Sequence, residues 1–150
     1  MWRTIGRVGA PRPARPNRAR QKGKNVMTGQ TADSAATLGL VQRFIGSVGR
    51  RDVDAILADM TDDAVYENFG QDVDAGRHEG QAAVRAAFEA VFTAYPDCHS
   101  ETDELFASGG RCCYCWTMRW TEPDGSEGVS HGTDVFTVRN GKVAYKKTYE

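Results

Sequence analysis

The chain has 150 residues, 40% of them hydrophobic and 26% charged, with a mean hydropathy of -0.54. That is enough for one domain with a real core and ordinary for a globular protein in water. No apolar run nears the roughly 18 residues of a membrane span, so a soluble, cytoplasmic protein is expected. The formal charge of -1 hides an asymmetry: residues 1–25 hold eight Lys/Arg and no acid, leaving 11 bases against 20 acids, a net of -9, in the rest.

Residues 1–30 read as a basic leader. Pro11, Pro13 and Pro16 bar a long amphipathic helix, and the apolar core of a secretory signal is missing. A nucleic-acid-binding arm, a targeting peptide and a disordered or untranslated leader remain open, and composition weighs toward the last. Met27 opens a stretch of ordinary composition and is a candidate start, so the domain is placed at 31–150. From Thr31 the apolar residues Leu38, Val41, Phe44, Ile45 and Val48 recur at three- and four-residue steps, which predicts a helix ended by Gly49. A second, short helix is predicted over Asp52–Ala58, with Asp52 as its N-cap.

Thr61–Phe69 reads as a turn and a strand, whose alternation sets Ala64, Tyr66 and Asn68 on one face. Residues 70–80 are polar and glycine-bounded, hence a loop. Gln81–Tyr95 is predicted as a strong helix that buries Val84, Phe88, Val91, Phe92 and Tyr95, and Pro96 stops it. Four antiparallel strands follow, about 98–108, 111–121, 129–138 and 142–149, joined by Gly109-Gly110, Pro123-Asp124-Gly125 and Asn140-Gly141. Helices followed by a run of strands argue for an α+β domain.

The last hairpin is the most informative stretch. Asn140-Gly141 is a strong signal for a two-residue type I′ turn, and alternation puts Asp134, Phe136 and Val138 on one face. A carboxylate on an apolar face needs either a raised pKa or a dedicated partner, and both conditions recur at functional sites. His131 falls on the opposite face unless Gly132 marks a bulge. In Arg111–Thr121, one face carries Tyr114, Trp116, Met118 and Trp120, and the other Cys113, Cys115, Thr117 and Arg119. If the second set turns inward, the aromatic band lies outside and calls for a homodimer partner; if the first does, it makes a flat-walled pocket. The dimer is the favoured expectation. Lys146 and Lys147 sit on opposite faces of the last strand; solvated lysines near a chain end are common, and both stay outside the candidate site. The cysteines Cys98, Cys112, Cys113 and Cys115 lack zinc-loop spacing and the three histidines are scattered, so no metal site and no cofactor are expected.

The element order, with Gly76-Arg77-His78-Glu79-Gly80 before the third helix and Asp134-Val-Phe-Thr-Val-Arg-Asn-Gly-Lys-Val143 at the end, resembles the nuclear transport factor 2-like superfamily, closest to its SnoaL-like and ketosteroid-isomerase-like branches. The resemblance covers about residues 35–150. It implies a cone: a curved, mixed and mainly antiparallel sheet wrapped around a long helix, with two further N-terminal helices and a pocket at the wide end. It implies reaction less firmly, because one scaffold hosts many chemistries. The isomerase general base falls on Asn68, which cannot take a proton; the oxyanion tyrosine falls on Phe44; the oxyanion aspartate alone is kept, as Asp134. Against limonene-epoxide-hydrolase-like members, Tyr66 and Asn68 match the water-holding pair, but the Asp-Arg-Asp set falls on Thr117, Cys115 and Thr148.

The candidate site is therefore Asp134 as the catalytic group, a neutral acid polarising a ligand oxygen, with Tyr66, Asn68, Phe44, Thr117 and Phe136 as ligand-binding residues. The expected function is binding of a small apolar, oxygen-bearing molecule, with proton-transfer isomerisation, cyclisation or hydrolysis as its chemistry. A non-catalytic binding or assembly module on the same fold is the alternative. A small-molecule ligand and a second copy are the expected partners, nucleic acid and membrane are not.

Overall fold

The computed structural model describes the backbone of residues 26–150 and the side chains of residues 33–150; residues 1–25, with the basic leader, lie outside them. Helix α1 spans Val26–Gly49, starting five residues before the expected Thr31. Leu40, Val41 and Phe44 are buried on its inner stripe, with Leu38, Ile45 and Val48 partly buried beside them. Arg51 adopts a positive φ of 59° and turns the chain into α2, Val53–Ala58, where the Asp52 carboxylate accepts the Ala55 amide at 3.0 Å. That is the predicted N-cap. No helix among the described residues is long and apolar enough to cross a membrane.

Strand β1, Met60–Asn68, buries Ala64, Tyr66 and Asn68. The segment expected to be all loop contains a short strand, β2, Gly76–Glu79, paired antiparallel to Val65–Asn68. Its residues are mostly exposed, so no alternation marks it; across the pair Arg77 lies 3.6 Å from Glu67 and the His78 ring lies 5.7 Å from that of Tyr66. Helix α3, Gly80–Ala94, buries Val84, Ala87 and Phe88, and Pro96 follows two residues on. Strands β3 (His99–Ser108), β4 (Arg111–Thr121), β5 (Glu127–Arg139) and β6 (Lys142–Tyr149) form the predicted meander.

The six strands make one sheet in the order β2-β1-β6-β5-β4-β3. β1 runs parallel to β6 and every other pair is antiparallel, so the sheet is mixed. Asn140 and Gly141 have φ of 52° and 74°, the signs that a type I′ turn requires. The inner face meets the helices around Phe44, whose ring lies edge-on to Phe88 at 6.1 Å and to Phe136 at 5.5 Å. Each such side chain removed from water contributes about 1.5–3 kcal/mol, so these contacts tie α1 and α3 to the sheet.

Candidate functional site

Between the helices and the sheet lies a cavity of about 130 Å³. Phe44, Ile45 and Val48 of α1 and Phe88, Val91 and Phe92 of α3 form one wall, and Tyr114, Trp116 and Met118 of β4 form another. The expectation that the aromatic face of β4 points outward is thus corrected. The cause is glycine spacing on β5: Gly132 lies opposite Trp116 and Gly128 opposite Trp120 in an unbroken ladder. A Cβ at either position would stand 2.2 Å from the indole, so the ring can lie across the neighbouring strand only because that residue is glycine. Gly132 marks this close approach and not a bulge.

With the aromatic side inward, Cys113, Cys115, Thr117 and Arg119 face out. Thr117 is therefore not a pocket residue. Its hydroxyl donates to Asp103 at 2.9 Å and meets His131 Nδ1 at 2.9 Å; since Asp103 takes the hydroxyl proton, His131 donates from Nδ1. The alignment that turned Thr117 and Cys115 inward is out of phase with the pleat, and the aromatic band that called for a covering subunit lies within the cone.

The polar wall is built by β1, β5 and β6. Asp134 and Lys146 side chains are each 7% exposed and their charges are 2.9 Å apart. Thr148 lies between them, accepting from Lys146 Nζ at 2.5 Å and donating to Asp134 Oδ1 at 2.7 Å. The ammonium also stands 4.4 Å from the centre of the Tyr66 ring, a favourable cation–π position. Asp134 thus has a dedicated partner, and the neutral-acid role expected for it gives way to a buried ion pair. Both contacts converge on Oδ1, so Oδ2 has no hydrogen bond from the described residues while the carboxylate lines the cavity.

Further along the same wall, Asp74 is buried and holds the 69–75 loop against β1. Its carboxylate accepts the Tyr66 hydroxyl on Oδ2 and the Asn68 amide on Oδ1 at 3.0 Å, and its carbonyl lies 2.9 Å from His78 Nε2. The Asn68 carbonyl oxygen accepts the Gly70 amide at 2.7 Å. Burial first, then the charges of Asp74 and Asp134, hold the Tyr66 phenol well above its ordinary range, so it stays a neutral donor. Glu150 also lines the cavity, and burial, with Asp74 and Asp72 nearby, raises its carboxyl.

Four of the residues singled out from sequence, Phe44, Tyr66, Asp134 and Phe136, therefore line one cavity. Asn68 lies behind that wall, fastening the loop, and Thr117 lies on the far side of the sheet. Lys146, Thr148, Asp74 and Glu150 were missed. Alternation places Lys146 and Thr148 together on β6, and their register against Asp134 is the signal that links them.

The α+β cone, with a cavity lined by aromatic and aliphatic side chains on one side and a polar cluster on the other, is the fold of the nuclear transport factor 2-like superfamily. Within it, the chain belongs to the SnoaL-like domain family, whose model matches residues 41–146. A search of curated proteins returned no match. Among solved structures, TerC co-crystallised with polyporic acid is similar at 19% identity, covering 76% of this chain and 90% of that one, with a TM-score of 0.68. RV0760c from Mycobacterium tuberculosis, in complex with estradiol-17beta-hemisuccinate, is similar at 23% identity over 77% and 93% of the chains, with a TM-score of 0.66. A putative polyketide cyclase from Sinorhizobium meliloti shows 23% identity over 74% and 94%, with a TM-score of 0.62.

Proposed function

We propose that the chain binds a small, mostly apolar, oxygen-bearing molecule in the cone and supports proton transfer at that molecule's oxygen, as in isomerisation, cyclisation or hydration. One observation carries the reading: a carboxylate and an ammonium lie side by side in the wall of the cavity, and one carboxylate oxygen has no donor among the described residues. Lys146 offers positive charge to an oxygen on which negative charge develops, and Asp134 Oδ2 is an acceptor for the proton that leaves. Thr148, bonded to both, holds their geometry. Aromatic and aliphatic walls with the polar groups gathered on one side suit a cyclic, oxygenated ligand, and the neighbours crystallised with polyporic acid and with an estradiol ester support that class.

A second reading, binding without turnover, is favoured by one observation. Tyr66 and Asn68, the pair expected to hold a reactive water, are both engaged by Asp74. Assays with enone, epoxide and polyketide-like substrates separate the two. With Asp134→Asn, whose fold is checked by its melting transition, turnover is expected to fall at least tenfold. Turnover that persists undiminished in this variant would remove Asp134 from the chemistry, and binding with no turnover of any of the three substrate classes would select the second reading.

A further inference from the structure

Tyr114 is 5% exposed and lines the cavity, yet its hydroxyl has no hydrogen-bond partner among the described residues. A buried phenol normally has one, because a hydroxyl withdrawn from water is destabilising until another group takes the water's place. Burial raises this phenol above its ordinary range, Thr102 of β3 tempers the rise, and the charges of Asp134 and Asp103 add to it. The group therefore keeps its proton at neutral pH and is a donor. Thr102, for all its nearness, makes no hydrogen bond to it.

Tyr114 stands directly opposite Asp134 in the ladder of β4 and β5, and Asp134 is in turn opposite Thr148 of β6. One row across three strands thus carries Tyr114, Asp134 and Thr148 on the inner face. Thr148 and Lys146 both engage Asp134 through Oδ1, which leaves Oδ2 without a donor from the described residues. Two adjacent members of the row therefore hold an unmet donor and an unmet acceptor, and both residues line the cavity. The rings of Trp116 and Phe136, each two residues along on the same face of its strand, wall the cavity beside them.

We infer that Tyr114 selects the ligand: its hydroxyl donates to a carbonyl oxygen of a flat, conjugated molecule, whose neighbouring hydroxyl or acidic C–H faces Asp134 Oδ2. The inference rests on the pocket proposed above and narrows the ligand's oxygen function to a carbonyl. A carbonyl only accepts, so it can meet Tyr114 and cannot meet Oδ2, which sets the direction in which the molecule lies. A molecule of the same shape without that oxygen leaves the hydroxyl buried and unmet, and is rejected for that reason.

The test uses two probes of one shape, 2-acetylnaphthalene, with a carbonyl, and 2-isopropenylnaphthalene, with a methylene in its place, measured by equilibrium dialysis against the full chain at pH 7. The parent protein is expected to bind the ketone about tenfold more tightly than the hydrocarbon. In Tyr114→Phe, which removes only the hydroxyl, the ketone is expected to lose that advantage while the hydrocarbon binds within about twofold of its affinity for the parent protein. The variant is also expected to melt at or above the temperature of the parent, because no hydrogen bond within the protein is lost. A parent protein with no preference for the ketone, a preference that survives in the variant, or equal weakening of both probes overturns the inference. So does a lowered melting temperature, which would mark a hydroxyl bonded within the protein. Each of these leaves the pocket and the role proposed for Asp134 standing, whereas binding of neither probe to the parent protein overturns the pocket reading as well.

Discussion

Asp134 and Asp74 are equally buried, each 5% exposed, and they stand on the same wall of the cone, yet they are satisfied in opposite ways. Asp134 is matched by a full charge, Lys146, and both of its contacts fall on one oxygen. Asp74 pairs with no cation among the described residues, and each of its oxygens is taken by a neutral donor. The difference separates a fastening from a tool. A carboxylate with both oxygens occupied holds a loop in place, whereas one anchored through a single oxygen is oriented and still has a face to offer.

The sharpest way to break this comparison is to remove the cation. Lys146→Met leaves Asp134 buried and unpaired and is expected to cost roughly 3–5 kcal/mol in denaturant unfolding, whereas Lys146→Met combined with Asp134→Leu is expected to recover most of that loss. A single variant as stable as its parent would mean that the pair is not the buried unit described. Asp74→Ala is expected to cost about 1–3 kcal/mol, since it strands the Tyr66 hydroxyl and the Asn68 amide, with faster hydrogen exchange confined to the 69–75 loop and β2. Gly132→Ala drives a methyl into the Trp116 ring and is expected to lose about 1–3 kcal/mol, while Thr117→Val on the outer face of the neighbouring strand is expected to stay near or below 1 kcal/mol. Equal losses at the two positions would undo the assignment of inner and outer faces.

The smallest effect concerns pH. Glu150 is raised above its ordinary value by burial, Asp74 and Asp72, so the folded chain holds this proton more tightly than the unfolded one. Its contribution to stability is fully present below the unfolded value, about 4.3, and is lost as pH rises through the folded value. Glu150→Gln is expected to flatten the stability profile across that window, and an unchanged slope would remove Glu150 from the coupled acidic set.

Much of this architecture was legible in the chain. The stripe through Leu38, Val41, Phe44, Ile45 and Val48, the Asp52 cap, Pro96 after α3 and the Asn140-Gly141 turn are local signals, and each of them fixes dihedrals or a face within a few residues. The motif Asp134-Val-Phe-Thr-Val-Arg-Asn-Gly-Lys-Val143 carried the family resemblance. β2 was not legible because a four-residue, mostly exposed strand with no apolar side chain leaves no periodic trace. The hydrolase-like alignment gives the wrong direction for β4, because it turns Cys115 and Thr117 inward against the more apolar face of Tyr114, Trp116 and Met118; a period of two says which residues share a face but not which face is inside.

The partner of Asp134 shows where local signals end. Continuing the Asn140-Gly141 turn without a break would set Asp134 opposite Lys147; the ladder instead shifts between Thr137 and Val138, which brings Thr148 opposite Asp134 and turns Lys146 inward. From sequence alone the chain fixed its helices, its hairpin and one conspicuous acid, since these depend on neighbours three or four positions away. Tertiary structure alone decided which lysine meets that acid, which side of β4 walls the cavity, and that Asp74 folds back onto Tyr66 and Asn68. Those outcomes depend on a one-residue slip and on glycines in an adjacent strand, whose consequences appear only when distant segments are packed side by side.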